Sequence, residues 1–341
     1  RLVYDKTKEI EKHKGNMVYD IFGDFYCVSK NSEKEKTFKF ELDINLDTKE
    51  NVIELLKQCK EKEKWILNKR SPIIKIKKSP KPLITSTIQQ RISSLYGYSP
   101  KDTMSICQTL YENGFITYMR TDNPNFSEDF IKIAKDHISE RYGLENFQYI
   151  SKKSNKNAQE AHEAIRPTNL KLEQLPEKFN PKQKKVYEFI YKHSIQCCMI
   201  DAQMWNYLWY LNLESNEEDE EDECFEYKIE IPKKYGWLIV ENKDYTKEKE
   251  IKEKLDSFVG LCMAYTNIES IGKIVGKKTN YNEASLVNML EKKGIGRPST
   301  FSSLVSKIQE RQYVKKGDIE GKTTIIDEPY MNSKSEIKIR Q

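Results

Sequence analysis

The strand-like parts of this 341-residue sequence form two blocks, with more than a hundred residues of helical character between them. β-Prone runs occur between residues 17 and 79 and return between residues 202 and 240. In the stretch between them, capping residues and apolar spacing predict helices at 84–97, 99–114, 128–143 and 181–199. The two blocks can share one β domain if the helical region is inserted between them. We therefore predict an α+β fold with several domains.

Length and composition agree with a multidomain protein outside the membrane. A single compact core would be unusual at this length. The mean hydropathy is −0.78, and no apolar run approaches the ~20 residues of a membrane span, so we expect no membrane partner. The seven cysteines are scattered and include no CxxC pair, which argues against disulfides and zinc and favours an intracellular, reducing compartment. Residues 1–15 resemble the end of a helix, so we expect a fragment.

The charge of the chain is distributed unevenly. The run ESNEEDEEDE at 214–223 holds eight acids and no base, and we interpret it as a solvated loop between two strands. Because the net charge is +5, the rest of the chain carries +13. A basic surplus of this size suits a polyanionic partner such as nucleic acid.

Tyr118 and Arg120 lie in a short β-like run, GFITYMRTD, between two predicted helices. Because side chains alternate along a strand, the phenol and the guanidinium would point to the same side. A phenol that attacks a phosphodiester needs positive charge near the oxygens that gain charge, and Arg120 can supply it. The spacing also fits a tyrosine packed in a core and an arginine in a surface ion pair.

His162 and Arg166 are four residues apart in AHEAIRPT, which we interpret as a short helix that Pro167 ends. On one helix face, the two side chains could hold a phosphate together. An ion pair with Glu160 or Glu163 would explain the same pattern.

Residues 294–300, GIGRPST, join the predicted helices 282–293 and 299–311. The two glycines allow close backbone approach, and the free N–H groups at the start of the second helix attract an anion. Arg297, Ser299 and Thr300 would add a guanidinium and two hydroxyls, which makes this a candidate phosphate site. The helix pair is also compatible with a non-catalytic helix-turn-helix module that binds DNA.

Three of these stretches together resemble the type IA DNA topoisomerases of the bacterial topoisomerase I kind. They are residues 82–122, 161–168 and 281–314, and they follow one another in the family's order. The resemblance implies that Tyr118 attacks one DNA strand and becomes linked to its 5′ phosphate. Supercoils are then relaxed without ATP.

The resemblance also assigns the remaining site residues. Arg120 matches the arginine that positions the attacked phosphate, and His162 matches an active-site histidine. Arg297 and Thr300 match residues that hold the backbone of the cleaved strand, and we add Arg166 and Ser299 as phosphate-binding candidates. The implied partner is single-stranded or negatively supercoiled DNA, bound by a monomer.

In fold, the resemblance implies a torus with a helical gate that carries the tyrosine. Residues 83–200 would form the gate, and residues 21–82 and 201–243 the β-rich hinge domain into which it is inserted. A helix at 1–20 and a helical segment at 244–341 would form the DNA-binding base.

One part of the family pattern is absent from the sequence. The magnesium site of the family lies in an N-terminal Toprim domain with an acidic DxDxxD motif after a strand, and no such motif occurs here. We therefore expect Mg²⁺ to bind outside this chain, which holds no metal ligands of its own and should be inactive alone. A tyrosine recombinase or type IB enzyme, which forms a 3′ link without metal, is the alternative. In those enzymes, however, the arginines and the histidine precede the tyrosine.

Overall fold

The computed structural model describes residues 1–28, 36–151, 162–213, 223–321 and 323–341. Its helices are α1 (Leu2–Lys12), α2 (Lys49–Glu61), α3 (Thr85–Tyr96), α4 (Pro100–Glu112), α5 (Glu128–Tyr142), α6 (Pro181–Gln196), α7 (Thr246–Phe258), α8 (Glu283–Lys292) and α9 (Phe301–Glu310). Its strands are β1 (Asn16–Cys27), β2 (Phe38–Leu42), β3 (Trp65–Ile66), β4 (Asn68–Lys77), β5 (Ala202–Asn212), β6 (Cys224–Lys234), β7 (Cys262–Val275), β8 (Glu328–Met331) and β9 (Ile337–Arg340). The predicted α+β class is confirmed.

The strands of the two blocks pair with one another in a single antiparallel sheet. Its order is β4-β5-β6-β2-β1-β7-β8-β9, with β3 attached to β7. Strand β4 of the first block pairs with β5 of the second, and β2 pairs with β6. Both pairings span the helical residues between the blocks, so the sheet forms around an insertion.

One face of the sheet carries an aromatic core. Alternation is clear in β2, where Phe38, Phe40 and Leu42 are buried and the residues between them are exposed. The ring of Phe25 contacts Phe40, and further rings from Trp65 and Phe225 complete the cluster. Apolar residues of α2 and α7 cover this core.

The helices between the blocks have a core of their own, and we call residues 83–199 the helical module. Its buried apolar residues all lie between Leu83 and Met199. Helices α4, α5 and α6 begin at Ser99, Ser127 and Asn180, whose side chains each accept a backbone N–H. Two chain crossings join the module to the sheet. They are held together by Asp201, which accepts hydrogen bonds from Lys78 Nζ (2.8 Å) and the Ser79 amide (2.9 Å).

The segment 244–341, predicted as helical, is also rich in strands. Besides α7, α8 and α9 it contains β7, which pairs with β1 along that strand's whole length, and the β8–β9 hairpin. The helical prediction is wrong for these strands, because β7 is stabilised by a partner that lies about 240 residues earlier in the chain. The helix predicted over 1–20 is too long. It ends at Lys12, before Gly15 at φ 75°, and α1 packs on α8 and α9.

The acidic run at 214–223 lies, except for Glu223, outside the described residues. The strands on either side of it, β5 and β6, form a ladder that ends at the pair Asn212 and Cys224. Among the described residues, no helix has the length and apolar character to cross a membrane.

Candidate active site

Tyr118 lies in an extended segment, residues 115–122, which we call the Tyr118 segment. In the part of the chain that the structure describes, the predicted β-like run forms one isolated bridge, between Ile116 and Pro167. Next to that bridge, the Thr117 amide donates to the Arg166 carbonyl (2.9 Å), and the Thr117 hydroxyl donates to the Ala164 carbonyl (2.9 Å). Residues 164–167 therefore lie alongside the Tyr118 segment.

The first turn of α3 fixes the other side of the Tyr118 segment. Thr85 is fully buried, and its hydroxyl donates to the Met119 carbonyl (2.8 Å) and to the Thr121 carbonyl (3.1 Å). It also accepts the Thr121 amide at 2.9 Å. Ile84 occupies the N-cap position of α3, so the Thr85 hydroxyl is free to bind the Tyr118 segment.

Burial alternates along residues 118–121. Tyr118 and Arg120 are half-buried, whereas Met119 and Thr121 are fully buried. Both side chains therefore lie on the more accessible side of the Tyr118 segment, and the Tyr118 ring also packs against the core of the helical module. Within the described ranges, the Arg120 guanidinium has no carboxylate and no hydrogen-bond partner. An arginine without a counter-ion is suited to an anionic ligand, because its planar fork can donate to two oxygens at once.

Two aromatic rings flank the phenol of Tyr118. The His162 ring centroid lies 4.8 Å from that of Tyr118, and the Tyr111 centroid lies 5.1 Å away on the side of α4. The phenol hydroxyl itself has no hydrogen-bond partner among the described residues. The structure therefore brings Tyr118 and His162 together, as the sequence suggested, and adds Tyr111, which sequence reasoning did not identify.

The sequence predicted a short helix with His162 and Arg166 on one face. The described residues 162–166 do not form that helix, and Ile165 makes an isolated β-bridge to Leu83. Arg166 turns to Glu163, with Nε to Oε2 at 2.9 Å and Nη2 to Oε1 at 2.7 Å, and its guanidinium lies 4.3 Å from the Phe130 ring centroid.

This ion pair also affects the acid. Burial acts to raise the pKa of Glu163, but Arg166 and the Ser127 amide hold that pKa below its ordinary value. The Arg166 guanidinium is thus already engaged, as in the ion-pair interpretation of the sequence. Sequence reasoning named Glu163 only as that alternative partner.

The GIGRPST loop makes a tight turn before α9. The helix begins at Phe301, two residues later than predicted. The Thr300 hydroxyl accepts the Arg297 amide at 2.9 Å and lies 3.2 Å from the Arg297 carbonyl, so it closes the turn. Gly296 has φ 85°, and a Cβ there would lie 2.8 Å from Leu304 Cδ1.

Two of the three candidate phosphate-binding residues of this loop are free. Arg297 and Ser299 are exposed, and in the part of the chain that the structure describes, neither side chain has a hydrogen-bond or ion-pair partner. The loop belongs to a helix pair that is close to the helical module, because α8 packs on α3 and α9 contacts α4. Helix α3 therefore contacts both the Tyr118 segment and the α8–α9 pair.

Among the described residues, one group of side chains could hold a metal ion. It consists of Asp43, Cys224 and Glu226, which lie on the sheet and not beside Tyr118. Burial raises the pKa of the Cys224 thiol to about 12, and the thiol lies 3.6 Å from Asp43 Oδ2. Magnesium prefers oxygen ligands, so this cluster does not fit it, and no other described group of ligands does.

Comparison with known proteins gives matches over most of the chain. A family described as DNA topoisomerase matches residues 1–325. The DNA topoisomerase 1 of Helicobacter pylori is 34% identical over 333 residues, which cover 92% of this chain and 43% of the relative. The DNA topoisomerase 1 of Buchnera aphidicola is 34% identical over 274 residues, covering 78% of this chain and 30% of the relative. The full-length topoisomerase I structure from Thermotoga maritima has a TM-score of 0.67 at 26% identity, over 92% of this chain and 50% of that one.

These matches confirm the resemblance to bacterial topoisomerase I and do not favour a tyrosine recombinase or a helix-turn-helix module. The chain spans less than half of the length of the two curated relatives. The family match covers nearly all of the sequence, in which the Tyr118 segment, the 162–168 stretch and the GIGRPST loop occur. The chain belongs to the DNA topoisomerase family.

Proposed function

We propose that this chain carries the strand-cleaving tyrosine of a type IA DNA topoisomerase. The observation that carries the proposal is the arrangement at Tyr118. Among the described residues, the Tyr118 phenol has no hydrogen-bond partner and the Arg120 guanidinium has no counter-ion, and a fixed segment holds both on one side, with the phenol beside His162. Single-stranded or negatively supercoiled DNA is the proposed substrate, acted on by a monomer inside the cell.

In the proposed reaction, the Tyr118 oxygen attacks a DNA phosphorus. A bond from that oxygen to phosphorus forms while the bond from phosphorus to the 3′ oxygen breaks. The phenol loses a proton, the 3′ oxygen gains one, and rejoining reverses both transfers. Arg120 would bind the phosphate oxygens that gain charge, and His162 would orient the phenol.

The GIGRPST loop would hold the strand by its backbone. Arg297 and Ser299 are the residues that we propose for this contact, because both are exposed and without a described partner. Thr300 would shape the turn through its bonds to Arg297, and Arg166 would bind phosphate only if Glu163 released it. Contacts of this kind position DNA without reading its sequence.

Residues 83–200, which comprise the helical module and Ile200, would act as the gate, and the two crossings at Asp201 as its hinge. The sheet residues at 21–82 and 201–243 would carry that hinge, and residues 1–20 and 244–341 would supply the base. Magnesium, which supports rejoining in this family, would be held by carboxylates of a Toprim domain, because the sequence has no DxDxxD motif after a strand. The 341 residues alone should therefore not relax DNA.

A chimera tests the proposal. Residues 1–341 replace the matched region of the Helicobacter pylori relative, and relaxation of negatively supercoiled DNA is followed with magnesium and without ATP. We expect relaxation and a covalent protein–DNA complex on denaturation, both lost in Tyr118→Phe with binding retained. Tyr111→Phe is the matched control, because it removes a hydroxyl from the adjacent ring. Relaxation by the Tyr118→Phe chimera would refute the proposal.

A further inference from the structure

Buried polar atoms without partners concentrate near the Tyr118 segment. Five side-chain atoms in the described residues are buried and lack a hydrogen bond, and four of them are Ser86 Oγ, Gln89 Nε2, Gln89 Oε1 and Asp122 Oδ1. Gln89 is fully buried and Ser86 is 1% exposed. Folded proteins hold few such atoms, because each loses its bonds to water without replacement. Their concentration beside a candidate nucleophile indicates a missing partner.

The hydrogen bonds of Thr85 place these atoms next to the Tyr118 segment. Thr85 is bonded to Thr121 through both its amide and its hydroxyl. Ser86 directly follows Thr85, and Asp122 directly follows Thr121, so both lie at this junction. Gln89 is three residues after Ser86 and therefore lies on the same side of α3, one turn further on.

Helix α3 also packs on α8. Its residues Ile88 and Ile92 are buried in the core of the helical module. Ser93, which continues the line of Ser86 and Gln89, borders a cleft of about 840 Å³ together with Glu283 and Leu286 of α8. Along α3, Ser86 and Gln89 thus lie between the junction with the Tyr118 segment and this cleft.

We propose that Ser86 and Gln89 bind the single DNA strand next to the phosphate that Tyr118 attacks. This inference rests on the function proposed above. A carboxamide offers both a donor and an acceptor and a hydroxyl offers the same pair, which suits phosphate oxygens and base edges. Because Gln89 is fully buried without DNA, the elements that cover this side of α3 must move apart for the contact to form. This movement exposes the unpartnered atoms to water, where they gain hydrogen bonds, so their exposure does not oppose it.

Two substitutions test the contact. Gln89→Met keeps the length of the side chain without its polar atoms, and Ser86→Ala removes only the hydroxyl. Their controls on the same helix are Gln90→Met, at a half-buried position, and Ser94→Ala, at an exposed one. Binding of a labelled single-stranded oligonucleotide is titrated over a range of salt concentrations, and the melting temperature of each protein is measured.

We expect each test variant to melt about 2–4 °C higher than the wild type, because an unsatisfied buried group is gone. We expect its affinity for the oligonucleotide to fall about three- to tenfold. The slope of affinity against salt should not change, because no charge is removed. Neither control should change by more than the error of the measurement.

Crosslinking with a thiothymidine-containing oligonucleotide distinguishes direct contact between DNA and α3 from an indirect effect, in which a variant only resists the movement that exposes Gln89. In the wild type the oligonucleotide should crosslink to the peptide 85–91. A loss of affinity without this crosslink, an unchanged affinity, or a lower melting temperature in both variants would each overturn the inference. Failure of the wild-type chain to bind any oligonucleotide would instead count against the proposed function itself.

Discussion

Thr85→Val should destabilise the helical module and disturb the position of Tyr118. Valine has the shape of threonine, so the change creates no cavity, and it removes only the hydroxyl that holds the Tyr118 segment. Met119 and Thr121, which bond to that hydroxyl, are fully buried, so water cannot replace the lost bonds. The Thr85 amide keeps its bond to the Thr121 carbonyl at 3.0 Å, so only two groups lose a partner.

The size of the effect follows from those two groups. The single hydroxyl proton is shared between two carbonyls, so its loss counts as one hydrogen bond of about 1 kcal/mol. The Thr121 amide is left buried without an acceptor, which costs about 1–3 kcal/mol. The free energy of unfolding should therefore fall by about 2–4 kcal/mol.

The assay is urea unfolding followed by circular dichroism, with Thr109→Val as the matched control. The Thr109 hydroxyl donates only to the Ser105 carbonyl within α4, at a site that is not buried, so its loss should cost under about 1 kcal/mol. In the chimera, Thr85→Val should also slow formation of the covalent complex more than it weakens DNA binding. A Thr85→Val protein within about 0.5 kcal/mol of the wild type would refute the reasoning.

Three further predictions concern other parts of the molecule. Burial lowers the pKa of His193, which bonds to the Lys81 carbonyl, to about 4, so as the pH falls below about 6.5 the unfolded chain takes up a proton before the folded one does. The free energy of unfolding, measured from denaturant midpoints, should therefore drop by about 2 kcal/mol between pH 7 and pH 5, and by clearly less in His193→Gln. Arg297→Ala should weaken single-stranded DNA binding alike for all sequences and reduce the salt slope by about one, whereas Arg311→Ala, an exposed arginine at the other end of α9, should have a smaller effect in the same titration. Gly296→Ala should cost more stability than Gly294→Ala in thermal melting, because both glycines have positive φ but only the Cβ at 296 would meet Leu304.

Local sequence patterns predicted the helices of the module well because each helix carries its own signals. Ser99, Ser127 and Asn180 were recognisable as caps before Pro100, Glu128 and Pro181, and the structure uses all three. The pairing of the two strand blocks also followed from their order. Strand β7 was missed because its burial alternates imperfectly and its stability depends on β1, far away in the chain.

At the site, the sequence identified residue types but not their partners. The ring contact of Tyr118 with His162 is in the structure, whereas the helix expected to present His162 and Arg166 is replaced by a non-helical segment that bridges to Leu83. Thr85 and Tyr111 carried no separate signal, since a threonine at a helix start suggests a cap and a lone tyrosine suggests packing. Their roles depend on the tertiary contact between α3, α4 and the Tyr118 segment.

The most direct test of the central claim is to identify the residue and the DNA end in the covalent complex. The chimera is trapped on single-stranded DNA by denaturant and digested, and the protein–nucleotide linkage is determined by mass spectrometry. We predict a single linkage, from the Tyr118 oxygen to a 5′ phosphate, with a free 3′ hydroxyl on the other DNA end. A linkage at another tyrosine, or a 3′ phosphate on Tyr118, would contradict the assignment of Tyr118 as a type IA nucleophile.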